Sequence, residues 1–166
     1  MSATPAIAAL ERAGIEHTVH RYTHDPRSAA YGDEAVEALA PTLGIGADQI
    51  FKTLVISLTG GSRARPQLAV AVLPVPTRLS LKAAAAALGA AKAVMADARD
   101  VTRSTGYVLG GVSPVGQKSA LPTVVDSSAL DHPLVLCSAG RRGMEIALSP
   151  ADLITATGAV TAAICA

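Results

Sequence analysis

One domain of mixed helix and strand, rather than a βαβ repeat, is what this sequence predicts, on three observations. Half of its 166 residues are apolar, enough for one sizeable core and too few for two comfortable domains, so residues 1–166 are expected to form a single unit. Helical and β-type segments follow one another irregularly, with a hairpin among them, which is not the order of a doubly wound sheet. The apolar content lies in Ala, Val, Leu and Ile, with no Trp, one Phe and three Tyr. Such a core closes through tight helix-on-sheet contacts. No internal repeat or disordered linker interrupts the pattern.

Thr4-Pro5 reads as an N-cap followed by the first helical residue, and Gly14 as the stop, giving a helix over about residues 5–13 built on Ile7 and Leu10. His17 to Tyr22 alternates in β fashion until Asp25-Pro26 breaks it. A second helix is expected from Asp33 to Ala40, closed near Gly44. The β-branched run from Ile50 continues as a strand to about Leu58; Thr59-Gly60-Gly61-Ser62 turns the chain, and Gln67 to Leu73 returns as the second arm of a hairpin. Pro74 and Pro76 end that arm. Ser80 caps an Ala-rich helix reaching Leu88, Ala93-Val94-Met95 is a short strand, and Asp97 caps a shorter helix. Further strands are expected at Thr123–Val125, Leu134–Cys137 and Met144–Ala147. A helix then runs from Ser149-Pro150 to near Gly158, and Val160–Cys165 is a final strand.

Charge and cysteine usage narrow the function classes. A formal net charge of +1 gives no global field toward DNA, RNA or an anionic membrane, so any RNA contact has to be local. Cys137 and Cys165 are far apart and form neither a disulfide framework nor a metal motif, as suits a reducing compartment. No basic leader precedes an apolar stretch, and no segment approaches bilayer length. The expectation is a soluble cytoplasmic protein that binds no membrane.

Lys52 is the residue that most needs explaining. It interrupts Ile50-Phe51-Lys52-Thr53-Leu54-Val55-Ile56, and the chain has only three other lysines, Lys82, Lys92 and Lys118. An ammonium inside a strand must be paired, shift its pKa, or face a polar cavity, unless it snorkels to water from an edge strand. Downstream, Gly111-Val112-Ser113-Pro114-Val115-Gly116-Gln117-Lys118 invites a phosphate-loop reading, but Gln117 stands where that motif needs its lysine, so it is rejected. What remains is a glycine pair, Gly110-Gly111, that could bring backbone N–H groups close to a ligand or simply form a wide turn. His17, His20 and His24 lie on a β pattern that splits them between opposite faces and a turn, which disfavours a zinc site. Cys137 reads as a buried hydrophobe, and Ser113 lacks the Gly-x-Ser-x-Gly context of a nucleophile elbow. Ser138-Ala139-Gly140-Arg141-Arg142-Gly143-Met144-Glu145 offers a hydroxyl, two guanidinium groups and an acid around a hairpin turn, with a solvated turn bearing a surface ion pair as the plain alternative.

With Tyr31-Gly32, Phe51-Lys52-Thr53-Leu54, Thr105-Gly106-Tyr107 through Lys118, and Ser138 through Glu145 all present and in order, the chain resembles the YbaK family of aminoacyl-tRNA deacylases, relatives of the editing domain inserted in bacterial prolyl-tRNA synthetase. The resemblance spans nearly the whole chain, and the pattern His20-x-Tyr22-x-His24-Asp25 is closest to the Cys-tRNA(Pro) branch. It implies an α+β fold with a mixed, strongly curved, barrel-like β-sheet surrounded by helices. It also implies trans-editing hydrolysis of a wrongly charged aminoacyl-tRNA at its 3′ end, Cys-tRNA(Pro) first, with Ala-tRNA(Pro), a broader range, or a non-catalytic tRNA-end binding module as alternatives. No cofactor or metal is implied, and prolyl-tRNA synthetase is an optional partner. Residue by residue, Lys52 matches the essential lysine and Thr53 its neighbour. Tyr31 matches a pocket tyrosine, Gly110 and Gly111 the backbone loop beside the ester, and Ser138 and Glu145 a polar pair in the opposing hairpin. Some relatives carry Asp at the position of Glu145. Because an aminoacyl ester is already activated, such a site needs orientation and charge stabilisation more than a strong nucleophile. For cysteine, the family implies that the substrate's own thiol can attack its ester.

Overall fold

The computed structural model describes residues 3–28 and 30–166. Among these described residues there are five α-helices and eight strands, and the mixed α+β class is as predicted. α1 (Pro5–Arg12) opens where expected: the Thr4 hydroxyl accepts from the Ile7 N–H at 3.2 Å, and Ala6, Ile7 and Leu10 form the buried face. β1 (Thr18–Arg21) and α2 (Tyr31–Leu43) follow. β2 (Phe51–Thr59) and β3 (Gln67–Pro74) form the predicted hairpin. Ser80 caps α3 (Leu81–Ala87), and Asp97 caps α4 (Ala98–Thr105) after the short β4 (Lys92–Met95). β5 (Thr123–Asp126), β6 (Val135–Arg141), β7 (Met144–Leu148), α5 (Pro150–Thr157) and β8 (Val160–Ala162) complete the order.

The strands divide between two sheets that do not close into a barrel. One has the order β4-β2-β3-β5-β8, antiparallel at β4-β2-β3 and parallel at β3-β5-β8; the other is the antiparallel set β1-β7-β6. An isolated parallel bridge between Ile50 and Leu136 links them. Side-chain alternation explains the layering. Val70 and Val72 of β3 pack with Phe51 and Val55 against Val135, Cys137, Ile146 and Leu148 of the smaller sheet, forming the central core. The intervening Ala69, Ala71 and Leu73 face the other way, onto Ala84 and Ala85 of α3. Leu136 and Ala147 sit between the core-facing residues of β6 and β7, and they pack beneath Ala35 and Leu39 of α2.

Several boundaries differ from the sequence expectation. α2 starts at Tyr31, two residues before Asp33, because the Ala30 carbonyl accepts from the Glu34 N–H at 3.0 Å; Asp33 and Glu34 then occupy a first turn that favours negative charge. β6 runs past Cys137 to Arg141, since its ladder with β7 continues through Ser138 opposite Glu145 and, across a bulge, Arg141 opposite Met144. Ser138 is therefore a strand residue, and the turn itself is shorter than expected. β8 stops at Ala162, while Cys165 makes only an isolated bridge to Leu79. Two 3₁₀ segments, Ala47–Gln49 and Ser127–Asp131, are too short for any periodicity to signal. Among the described residues, no helix is long and apolar enough to cross a membrane.

Candidate active site

A cavity of about 440 Å³ opens between the N-terminus of α2, the start of β2, the glycine loop after α4 and the β6–β7 hairpin. Tyr31, Lys52, Thr53, Gly110, Ser138 and Glu145 all line it, so six of the seven predicted site residues converge from four separate stretches of chain. Gly111, the seventh, is buried behind the wall.

Lys52 is half-buried, and β2 places it opposite Leu73. Its Nζ donates to the Thr77 carbonyl at 2.5 Å. Desolvation pulls its pKa below the ordinary lysine value, and the nearby Asp33 carboxylate opposes the shift; Asp33 is exposed and also lines the cavity. The ammonium thus neither snorkels freely nor sits in a tight ion pair. Next to it, Thr53 Oγ1 is buried and has no hydrogen-bond partner. An orphaned buried hydroxyl in a cavity wall costs about 1–3 kcal/mol, which a ligand that bonds to it recovers.

On the opposite wall, Ser138 and Glu145 face each other across the β6–β7 ladder, with His20 of β1 on the far side of Glu145. Glu145 is 6% exposed, and burial raises its pKa from 4.5 to about 8. The carboxyl is consequently protonated at neutral pH and can donate a hydrogen bond. Tyr22, just beyond β1, also lines the cavity; burial and then the neighbouring Glu145 push its phenol to about 12, and its N–H is tied to the Gly143 carbonyl at 2.9 Å.

The glycine loop is an ordered piece of wall. Its base is closed by Lys118 N–H to Thr105 O and Ser119 N–H to Ser104 O, both 2.9 Å. Tyr107, buried in the core, donates its hydroxyl to Val115 O at 2.7 Å. Gly110 has φ 89°, and a Cβ there would lie 3.0 Å from the Tyr31 ring and from Arg142 Cδ. A Cβ on Gly111 would lie 3.1 Å from the Arg141 and Arg142 backbone. Glycine is required so that loop, helix and hairpin can meet. The Gly111 N–H already donates to Val108 O at 2.9 Å, and the loop faces the cavity through Gly110 together with Leu109 and Val112.

The two arginines do not enter the cavity wall. Arg142 lies over the Tyr31 ring, 4.4 Å from its centroid, and its Nη2 donates to Asp25 O at 3.1 Å and Ser28 O at 2.8 Å. It therefore fastens the segment before α2 to the hairpin. Cys137 is fully buried, and burial drives its thiol far above the usual range, as befits a core residue. Among the described residues, no group of three or more His, Cys, Asp or Glu is arranged to hold a metal.

Sequence reasoning missed Tyr22 and Asp33. Tyr22 sits within the His17–His24 stretch, where the histidines draw the eye, and only the pairing of β1 with β7 brings it beside Glu145. Asp33 looks in the sequence like no more than a helix start. Its place next to Lys52 depends on how α2 docks over β2, which no local pattern encodes.

This two-sheet α+β frame, with its cavity between the sheets, is accompanied by a match of the aminoacyl-tRNA editing domain model over residues 33–156. The chain belongs to this family and is of the YbaK type. EbsC of Enterococcus faecalis, named for a proposed Cys-tRNA(Pro)/Cys-tRNA(Cys) deacylase activity, is 36% identical over 140 residues, which cover 83% of this chain and 82% of EbsC. A crystal structure described as a proposed trans-editing enzyme for prolyl-tRNA synthetase superposes with a TM-score of 0.80 at 26% identity, covering 100% of this chain and 99% of that one. The hypothetical protein APE2540 superposes equally well, with a TM-score of 0.80 at 26% identity, covering 98% of this chain and 100% of that one.

Proposed function

We propose that this chain removes a wrongly attached amino acid from the 3′ end of a tRNA, with Cys-tRNA(Pro) as the preferred substrate, acting in trans on the product of a synthetase. The observation that carries the reading is the cavity itself. It joins a desolvated ammonium, an unpartnered buried hydroxyl and a protonated carboxyl, and a likeness to a relative named for that substrate supports the choice of cysteine.

Ester cleavage at such a site rests on orientation and charge. Lys52 stabilises the negative charge that develops on the carbonyl oxygen or anchors the terminal adenosine phosphate, while Gly110 presents backbone close to the ester. Thr53, Ser138 and Glu145 orient the aminoacyl group. In the cysteine reaction the substrate sulfur bonds to its own carbonyl carbon, the bond to the ribose 3′ oxygen breaks, and the thiol proton ends on that oxygen. Water then opens the resulting thiolactone. The protein supplies geometry and needs no nucleophile of its own.

Lys52→Ala tests the assignment. Deacylation of Cys-tRNA(Pro) is expected to fall by about a hundredfold or more, the order found for losing one charge-stabilising donor; near-normal turnover would overturn the role given to Lys52. A panel of charged tRNAs separates the remaining readings. Fastest clearance of Ala-tRNA(Pro) would replace cysteine by alanine, and binding without turnover of any ester would leave a tRNA-end binding module. A serine ester cleared as fast as the cysteine ester would identify water, rather than the substrate thiol, as the attacking group.

A further inference from the structure

A lysine side chain has four rotatable bonds, and its ammonium is useful to an ester only if something fixes its direction. In this protein the fixing group lies outside β2. After β3 pairs Leu73 with Lys52, the chain turns through Pro74, Val75, Pro76 and Thr77. Both donors of Thr77 close that turn on one oxygen: its N–H reaches Pro74 O at 3.0 Å, and its hydroxyl reaches the same carbonyl at 2.6 Å. The Thr77 carbonyl, held in this way, accepts the Lys52 Nζ bond at 2.5 Å.

The turn is also anchored to its surroundings. Val75 N–H donates to Ile50 O at 2.8 Å, prolonging the ladder by one step, and the Val75 side chain packs with Ala35 and Leu39 of α2. On the far side, Ser80 N–H donates to Ile164 O at 2.7 Å and Ala166 N–H to Arg78 O at 2.7 Å, tying the chain just after Thr77 to the C-terminal segment. An ammonium has three donors. One is taken by Thr77, which leaves the others for the cavity that Lys52 lines.

We infer that Thr77 is the positioning residue for Lys52: its hydroxyl locks the Pro74–Thr77 turn, and the turn's last carbonyl aims the ammonium into the cavity. The inference rests on the deacylase reading for its kinetic consequence and on the geometry alone for its structural one. Thr77→Val removes the hydroxyl at nearly constant volume, and Thr77→Ser restores it. Two measurements on the purified full chain decide the matter: kcat and KM for Cys-tRNA(Pro), and the titration of the Lys52 side chain by NMR of labelled lysine, assigned by the signal missing in Lys52→Arg.

Thr77→Val is expected to lower kcat about fivefold, the scale of one net hydrogen bond, with KM within twofold of the wild type. It should also displace the Lys52 titration from its wild-type position, because an ammonium released from the Thr77 carbonyl changes both its burial and its distance from Asp33 and Cys165, the groups that oppose the effect of burial. Thr77→Ser should return both to wild-type values. Should the valine prevent folding, Thr77→Ala provides the same loss of hydroxyl. Wild-type kcat and an unmoved titration in the hydroxyl-less variant would overturn the inference, as would a serine variant as impaired as the valine. If the wild-type chain clears no aminoacyl-tRNA, the deacylase reading fails, and the Lys52 titration still decides the role of Thr77.

Discussion

Glu145 is the residue whose chemistry departs furthest from its type. Its carboxyl is raised by burial to about 8 in the folded protein against 4.5 when solvated, so the folded state retains a proton that the unfolded state releases. The stability this group allows is full below about pH 4.5 and is lost as pH rises through about 8. The wild-type Tm should therefore fall between pH 5 and pH 8, by an amount corresponding to about 4 kcal/mol at most. Glu145→Gln, which keeps the donor without the ionisation, should flatten that slope; an unchanged slope would mean that Glu145 is not held neutral. Lys52 was legible in the sequence, because a charge placed inside an apolar β run has few structural excuses, whereas Glu145 read only as the acid of a hairpin turn and was singled out by the family resemblance. Thr77 was not legible. Its contribution comes through a main-chain oxygen, and side-chain chemistry gives no sign of that.

Among the elements, the β6–β7 hairpin and the glycine loop make the site by touching each other, and Arg142 is the fastener. Its guanidinium covers Tyr31 and holds two carbonyls of the segment leading into α2. Arg142→Ala is expected to destabilise the fold by about 1–2 kcal/mol and to speed amide hydrogen exchange over residues 23–28 and the first turn of α2, while the central strands keep their protection. Uniform loss of protection would instead indicate a global role. Sequence reading placed these two elements correctly and named their glycines, since four glycines in one loop and a paired turn are local signals. It placed the arginines near the cleft, whereas the fold uses Arg142 to secure the wall from behind. Which way a hairpin's turn residues lean follows from the bulge between Ser138 and Arg141, and alternation alone does not reveal a bulge.

For the molecule as a whole, the alanine-rich composition is an instruction about distance. Ala84 and Ala85 of α3 share a buried cluster with Ala69 and Ala71 of β3, with no exposed surface at three of the four and 1% at Ala85, so a larger side chain there has little room. Ala85→Leu should cost about 1–3 kcal/mol by overpacking and lower Tm, with little change in kcat for the protein that remains folded. A large kcat effect with Tm intact would mean that α3 communicates with the site. The central layering was legible from period-two alternation and Ala content. The split into two sheets joined at Ile50 and Leu136 was not, because it depends on pairing between segments distant in the chain.

That single bridge has a bearing on assembly. Lys52 and Thr53 belong to one sheet and Ser138 and Glu145 to the other, while Tyr31 lies on the connection from the smaller sheet to the larger and Gly110 on the loop between β4 and β5 of the larger. Neither sheet alone holds the whole of the proposed site, so on that assignment competence arrives only when the two halves have docked. Recovery of ester-cleaving activity after denaturation is thus a clock for the last event in folding, and a folding intermediate with one sheet formed would be silent toward tRNA.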